Sequence, residues 1–166
     1  RPYVYDRRSY EVDANDKKYT DDPVKAILTF QRQLQKRDID LLFVLVPGKA
    51  TVYPDMMSEH VPASLSGTVS HSTDLLAALA DSGVDVVDLF SVFAEERTRD
   101  KEAGDSLYLE KDTHWRARGL RAAAAEVAKH VKKYPWYSAG TVEYAFEKTT
   151  VMRDGDVGIM SRLPNY

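Results

Sequence analysis

Ile39-Asp-Leu-Leu-Phe-Val-Leu-Val46 is an almost unbroken apolar run of eight residues, and Pro47-Gly48 ends it. A run so short and apolar, bounded by turn residues, reads as a strand buried on both faces, the kind that parallel sheets carry between helices. Upstream, Asp21 or Asp22 can cap a helix and Pro23 suits its first turn. Val24, Ile27, Leu28, Gln31 and Leu34 then mark one helical face, closed by Lys36-Arg37. Downstream, Leu75, Leu76 and Leu79 predict a helix that starts near Ser72 and stops at Gly83. Val84 to Leu89 is a second buried strand, and residues 90–99 are helical again. Residues 98–105 form a charged loop, Leu107 and Leu109 alternate as in a brief third strand, and residues 116–131 repeat at helical period. Helices and strands alternating in this way predict a three-layer αβα fold, an α/β class with a mainly parallel sheet.

At 166 residues one domain is expected, with enough chain for a sizeable core. Half of residues 1–22 are charged, with tyrosines at 3, 5, 10 and 19. Residues 1–21 are therefore read as a polar N-terminal arm, partly ordered by its tyrosines, and residues 22–166 as the α/β domain. Residues 54–70 read as a loop. The segment 141–151 has the spacing of a strand or hairpin arm, and residues 153–156 that of a turn. A net charge of −3 gives no general attraction to nucleic acid. No stretch reaches the ~20 apolar residues of a membrane span. There is no cysteine, which excludes disulfides, thiolate metal sites and a cysteine nucleophile. The first residue is Arg1, so a signal peptide or membrane anchor upstream is compatible with the sequence.

The residues with chemistry stand in Leu107-Tyr-Leu-Glu-Lys-Asp-Thr-His-Trp115, directly before the Ala-rich helix that contains Gly119. In α/β sheets ligands bind at the carboxyl ends of strands. An Asp two residues before a His can hold the imidazole in one tautomer and make it a better base. Spacing alone leaves a second reading open, in which Asp112 or Thr113 caps the helix and His114 is a surface residue of its first turn. His60, His71, His114 and His130 show no short metal-ligand spacing, so no metal is expected.

Asp112-Thr113-His114-Trp115, preceded by Leu107-Tyr108-Leu109 and followed by Gly119, resembles the alginate O-acetyltransferase family, bacterial polysaccharide-modifying proteins with an SGNH-hydrolase-like domain. Leu41-Leu-Phe-Val-Leu-Val-Pro47 with Lys49-Ala-Thr-Val-Tyr-Pro54 is similar to a second block of that family, in the family's order. The resemblance implies that Asp112 orients His114, that His114 is the base for a serine nucleophile, and that Lys49, Tyr53 and Trp115 bind substrate, although Trp115 suits an anchoring role better. It implies an O-acetyltransferase or acetylesterase acting on an exported bacterial polysaccharide in the periplasm or outside the cell. Its partners would be the polysaccharide and an acetyl donor such as a membrane acetyl-transfer protein, with no cofactor. In the family the serine follows a later buried strand. Here the later serines, Ser138 and Ser161, lack a small-residue turn. Gly104-Asp105-Ser106 spells the serine motif of ordinary SGNH hydrolases but follows a charged loop, so it reads as a plain turn. The nucleophile is thus expected beyond Tyr166, with these 166 residues inactive alone. The competing reading is a non-catalytic carbohydrate-binding or assembly module that keeps the fold. A strand ending in Gly-Asp-Ser or Gly-Thr-Ser past Tyr166 would favour the enzyme.

Overall fold

A computed structural model of the chain describes residues 22–57, 60, 71–147, 149–152 and 155–161. The tyrosine-bearing arm and most of the loop expected over 54–70 lie outside the described residues. Two compact units are formed, Arg1–Leu45 with Val69–Asp88, and Val46–Thr68 with Leu89–Tyr166.

In the first unit, helix α1 spans Pro23–Gln35, strand β1 Leu42–Leu45, and strand β2 Asp85–Asp88. Asp22 caps α1 by accepting from the Lys25 amide at 3.1 Å. The α1 residues withdrawn from solvent are Val24, Ile27, Leu28, Gln31 and Leu34, the face its period marks. β1 and β2 pair in parallel, from Leu42 opposite Asp85 to Leu45 opposite Asp88. A parallel pair cannot close with a hairpin turn. A helix lies between them in the chain, α4, His71–Asp81, which packs on β2 and on α1. Leu76, Leu79, Val84 and Val87 form the buried centre of this unit. β1 is less buried than its apolar run predicts, with Val44 37% exposed. Among the described residues it has a single sheet neighbour.

In the second unit, α2 (Lys49–Val52) and α3 (Pro54–Met57) follow Pro47-Gly48, and α5 (Leu89–Thr98) supplies Leu89, Phe90 and Phe93 to the core. The charged loop expected over 98–105 contains one further turn of helix, α6, Asp100–Ala103. The long helix α7, Ala117–Val131, packs on α5. Of the positions its helical period marks (Leu120, Ala123, Ala124, Val127, Ala128 and Val131), Ala123 is buried and Val127, Ala128 and Val131 are half-buried, while Leu120 and Ala124 are exposed. Leu120 is 60% exposed, and Gly119 and Ala123 face inward. The cause is a close backbone approach: a Cβ at Gly119 would lie 2.6 Å from the Leu107 carbonyl oxygen, so only glycine fits there. Bringing Gly119 inward rolls Leu120 out.

Arg118, 16% exposed at its side chain, ties α5, α6 and α7 together. It donates to the carboxylates of Asp100 and Glu96 and to the carbonyls of Asp105 and Glu96. Burial works against its charge, but the Asp100 and Glu96 carboxylates more than offset that and hold its pKa above the usual arginine value. The expected strand over 141–151 does not form among the described residues, where this segment is exposed coil. Residues 153–154 of the expected turn lie outside the described residues, and Asp156, its last position, begins a short helix, α8, Asp156–Ser161.

Candidate active site

Residues 107–116 form a tight loop with two limbs. Tyr108 bridges Trp115 in antiparallel sense, Leu109 N donates to His114 O at 3.0 Å, and Arg116 N donates to Leu107 O at 2.8 Å. The brief strand expected at Leu107–Leu109 is therefore half of a miniature hairpin, because its hydrogen bonds go to its own returning limb. Asp112 and Thr113 occupy the tip, and His114 begins the return. α7 starts only at Ala117, after an N-cap, Arg116, whose side chain makes no capping bond. Neither Asp112 nor Thr113 caps it.

At the tip, Asp112 Oδ1 lies 2.6 Å from His114 Nδ1 and also accepts the His114 backbone amide at 2.9 Å. A single carboxylate oxygen thus fixes both the turn and the ring. The amide bond is the largest cause of a depressed Asp112 pKa, about 2, followed by the bond to the imidazole. An ionised carboxylate only accepts, so Nδ1 carries the proton and Nε2 carries the lone pair. The imidazole is 74% exposed and the carboxylate 12%. This is the arrangement of a base that meets solvent or substrate while its orienting acid stays sheltered. Because the folded-state pKa is lowered, the stabilisation from Asp112 is present above the ordinary carboxylate value of about 3.9 and disappears as pH falls through about 2. Asp112→Asn is accordingly expected to destabilise the fold at pH 7 and to match the wild type near pH 2, as measured by urea unfolding across that range.

Lys49, Tyr53 and Trp115 take other tasks than the substrate binding expected of them. Lys49 Nζ donates to the carbonyls of Leu109, Glu110 and Asp112, at 2.6, 2.7 and 3.1 Å. Three acceptors match the three N–H donors of an ammonium, so this side chain holds the loop rather than a ligand. Lys49→Met, which keeps the stem and removes the donors, should cost about 1–3 kcal/mol of stability. Lys49→Arg should not restore it, because a planar guanidinium cannot converge on that trio. Urea midpoints of the two variants check this. Tyr53 is 2% exposed and cannot reach a polysaccharide. Its hydroxyl donates to Asp100 at 2.7 Å and accepts from Leu107 N at 2.9 Å, and burial followed by the Asp100 bond raises its pKa to about 12. Trp115 is an anchor, packed edge-on against Phe93 at 5.9 Å. Tyr108 meets Phe93 in the same manner at 6.0 Å and donates to the Pro47 carbonyl.

Asp156, at the end of the expected turn over residues 153–156, completes the cluster. The Asp156 carboxylate accepts from Thr113 N at 2.7 Å and from the Thr113 hydroxyl, and lies 3.5 Å from His114 Nδ1. Its amide donates to Asp112 Oδ2 at 3.3 Å. Nothing in the sequence links Asp156 to Thr113 across 43 residues. The ligand atoms of Asp112, His114 and Asp156 lie within 4.8 Å of one another, near enough to share a cation. Asp112 is held by the His114 ring and amide and by the Asp156 amide, and Asp156 by the Thr113 amide and hydroxyl, which fits an oriented base better than a ligand set. Of the three serines considered as nucleophiles, two are turned onto nearby backbone: Ser106 donates to Tyr108 O at 2.7 Å and Ser161 to Gly158 O at 2.8 Å. No helix among the described residues is long and apolar enough to cross a membrane.

Comparison with known proteins bears on the family and the fold. The model of the SGNH hydrolase-like domain of the acetyltransferase AlgX matches residues 4–165. Among relatives, the probable alginate O-acetylase AlgJ of Azotobacter vinelandii is 28% identical over 99 residues, 60% of this chain and 24% of that protein. The AlgJ of Pseudomonas aeruginosa is 27% identical over 103 residues, 62% of this chain and 25% of that one. The chain thus spans about a quarter of the length of these relatives. Among solved structures, the O-acetyltransferase domain of Pseudomonas putida AlgJ superposes with a TM-score of 0.64 at 25% identity, covering 85% of this chain and 48% of that one.

Proposed function

Since the chain belongs to the SGNH hydrolase-like acetyltransferase family of AlgX, we propose that its Asp112–His114 pair serves acetyl transfer from a donor ester to a hydroxyl of an exported bacterial polysaccharide. The observation that carries this reading is the 2.6 Å contact between Asp112 Oδ1 and His114 Nδ1 beside an exposed imidazole. In the first half-reaction His114 Nε2 takes the proton of a serine hydroxyl as its oxygen attacks the acetyl carbonyl. The imidazolium returns that proton to the departing donor oxygen, leaving an acetyl-serine. In the second half a sugar hydroxyl attacks this ester, His114 accepts its proton, and the serine oxygen leaves and is reprotonated. Asp112 remains ionised throughout and supports the positive ring.

The hydroxyls of Ser106 and Ser161 are directed at carbonyls and Ser138 lacks a small-residue turn; we assign the nucleophile to a serine outside residues 1–166. Relatives named as probable alginate O-acetylases support a polysaccharide acceptor, and a periplasmic or extracellular setting would suit an exported one. A membrane acetyl-transfer protein would suit the role of donor.

The test is to incubate the intact protein with 4-nitrophenyl acetate and an uronic-acid oligosaccharide and to seek acetylated sugar by mass spectrometry. Acetylated product that disappears in His114→Ala supports the reading. Binding of the oligosaccharide without turnover would replace it with a non-catalytic carbohydrate-binding module.

A further inference from the structure

We propose that Asp156 is a positioning residue for the Asp112–His114 pair, a second carboxylate that clasps the loop tip and faces the imidazole; this rests on the acetyl-transfer reading above. Residues 155–157 run against residues 111–113 as a clasp. Val157 N donates to Lys111 O at 3.3 Å, Asp156 N donates to Asp112 Oδ2 at 3.3 Å, and the Asp156 carboxylate takes both the amide and the hydroxyl of Thr113. The approach leaves no room for a side chain at the neighbouring position. A Cβ on Gly155 would stand 1.8 Å from the Lys111 carbonyl oxygen.

Two consequences for the pair follow. First, both oxygens of Asp112 are fixed, Oδ1 by His114 and Oδ2 by Asp156 N. The carboxylate cannot rotate away from the ring without breaking a bond from α8. Second, Asp156 Oδ2 is 3.5 Å from the same nitrogen that Asp112 holds. A ring that has taken a proton therefore faces two carboxylates rather than one. Each anion is itself neutralised in part by backbone amides, which lets two carboxylates stand so close. Thr113 links the halves, donating to one carboxylate while it sits between the two residues of the pair.

The experiment compares Asp156→Asn, Thr113→Val and His114→Ala in the intact protein with 4-nitrophenyl acetate as substrate. Melting temperature and the imidazole 15N shifts, which report the tautomer, are followed alongside. Asp156→Asn is expected to lower kcat about tenfold to a hundredfold, since a misplaced catalytic group costs rate rather than binding, with KM changed by less than about twofold. Thr113→Val, which alters no charge, should shift kcat in the same direction by less, and it decides the matter should Asp156→Asn not fold. The proposal is overturned if His114→Ala is inactive while Asp156→Asn and Thr113→Val keep wild-type kcat. It is also overturned if their losses merely track the folded fraction with an unchanged tautomer signature. A fully active His114→Ala would instead remove the acetyl-transfer reading itself, whatever Asp156→Asn does.

Discussion

His114→Ala is expected to lower kcat for the proposed acetyl transfer by about a thousandfold, the middle of the range for loss of a general base, and to leave the fold intact. The second half of that expectation comes from exposure: the imidazole is 74% exposed, so its removal opens no cavity. Asp112→Asn should approach the same loss by another route. An amide in place of the carboxylate offers an oxygen to one donor but no negative charge, and it allows the ring to settle in the other tautomer. The two losses should not add, because the residues act as one unit. Steady-state kinetics of the single variants and the double variant check this. Independent, additive losses would mean that Asp112 and His114 do not work together. Unchanged melting temperature in His114→Ala separates lost chemistry from lost structure.

Phe93→Ala is the substitution expected to harm the fold most, by about 3–5 kcal/mol. Phe93 is fully buried, and its ring meets both Tyr108 and Trp115 edge-on. Those two residues are the bridged pair of the hairpin loop. The cavity would therefore open beneath the limbs that carry Asp112 and His114, and activity should fall along with stability. A domain of this size is stable by roughly 5–15 kcal/mol, so the variant should unfold at a much lower urea concentration. Phe93→Leu, which leaves a smaller void, should cost roughly 1–2 kcal/mol and preserve turnover. If Phe93→Ala unfolds at the wild-type urea midpoint, the ring is not the support described.

The parallel strand pair was legible because eight nearly continuous apolar residues ending in Pro47-Gly48 have few other uses in a globular chain. The α1 face was legible for a similar reason, since one helical period accounts for Val24, Ile27, Leu28, Gln31 and Leu34 alike. α7 was harder. Its alanines fit several faces equally, and the face actually buried is selected by the contact of Gly119 with Leu107, which is tertiary information. The Asp112–His114 contact follows from two residues at close spacing and so could be read locally. The tasks of Lys49 and Asp156 could not. Both depend on partners 43 to 63 residues away, and a lysine aimed at carbonyls looks the same in sequence as one aimed at a ligand.

The clasp between residues 155–157 and the loop tip also orders events while the chain is being made. Lys49 leaves the ribosome well before the loop, and the loop can settle on it as soon as residues 109–112 emerge. Asp156 follows Asp112 by 44 residues, which at roughly 5–20 residues per second is a delay of roughly 2–9 s. For that interval Lys49 and the loop are both in the nascent chain and the second carboxylate is not. The same order sets a minimum length for recombinant work. A boundary drawn between Val131, where α7 ends, and Gly155 would retain Phe93, Arg118 and Gly119 in the packed core and still leave Thr113 without its carboxylate partner.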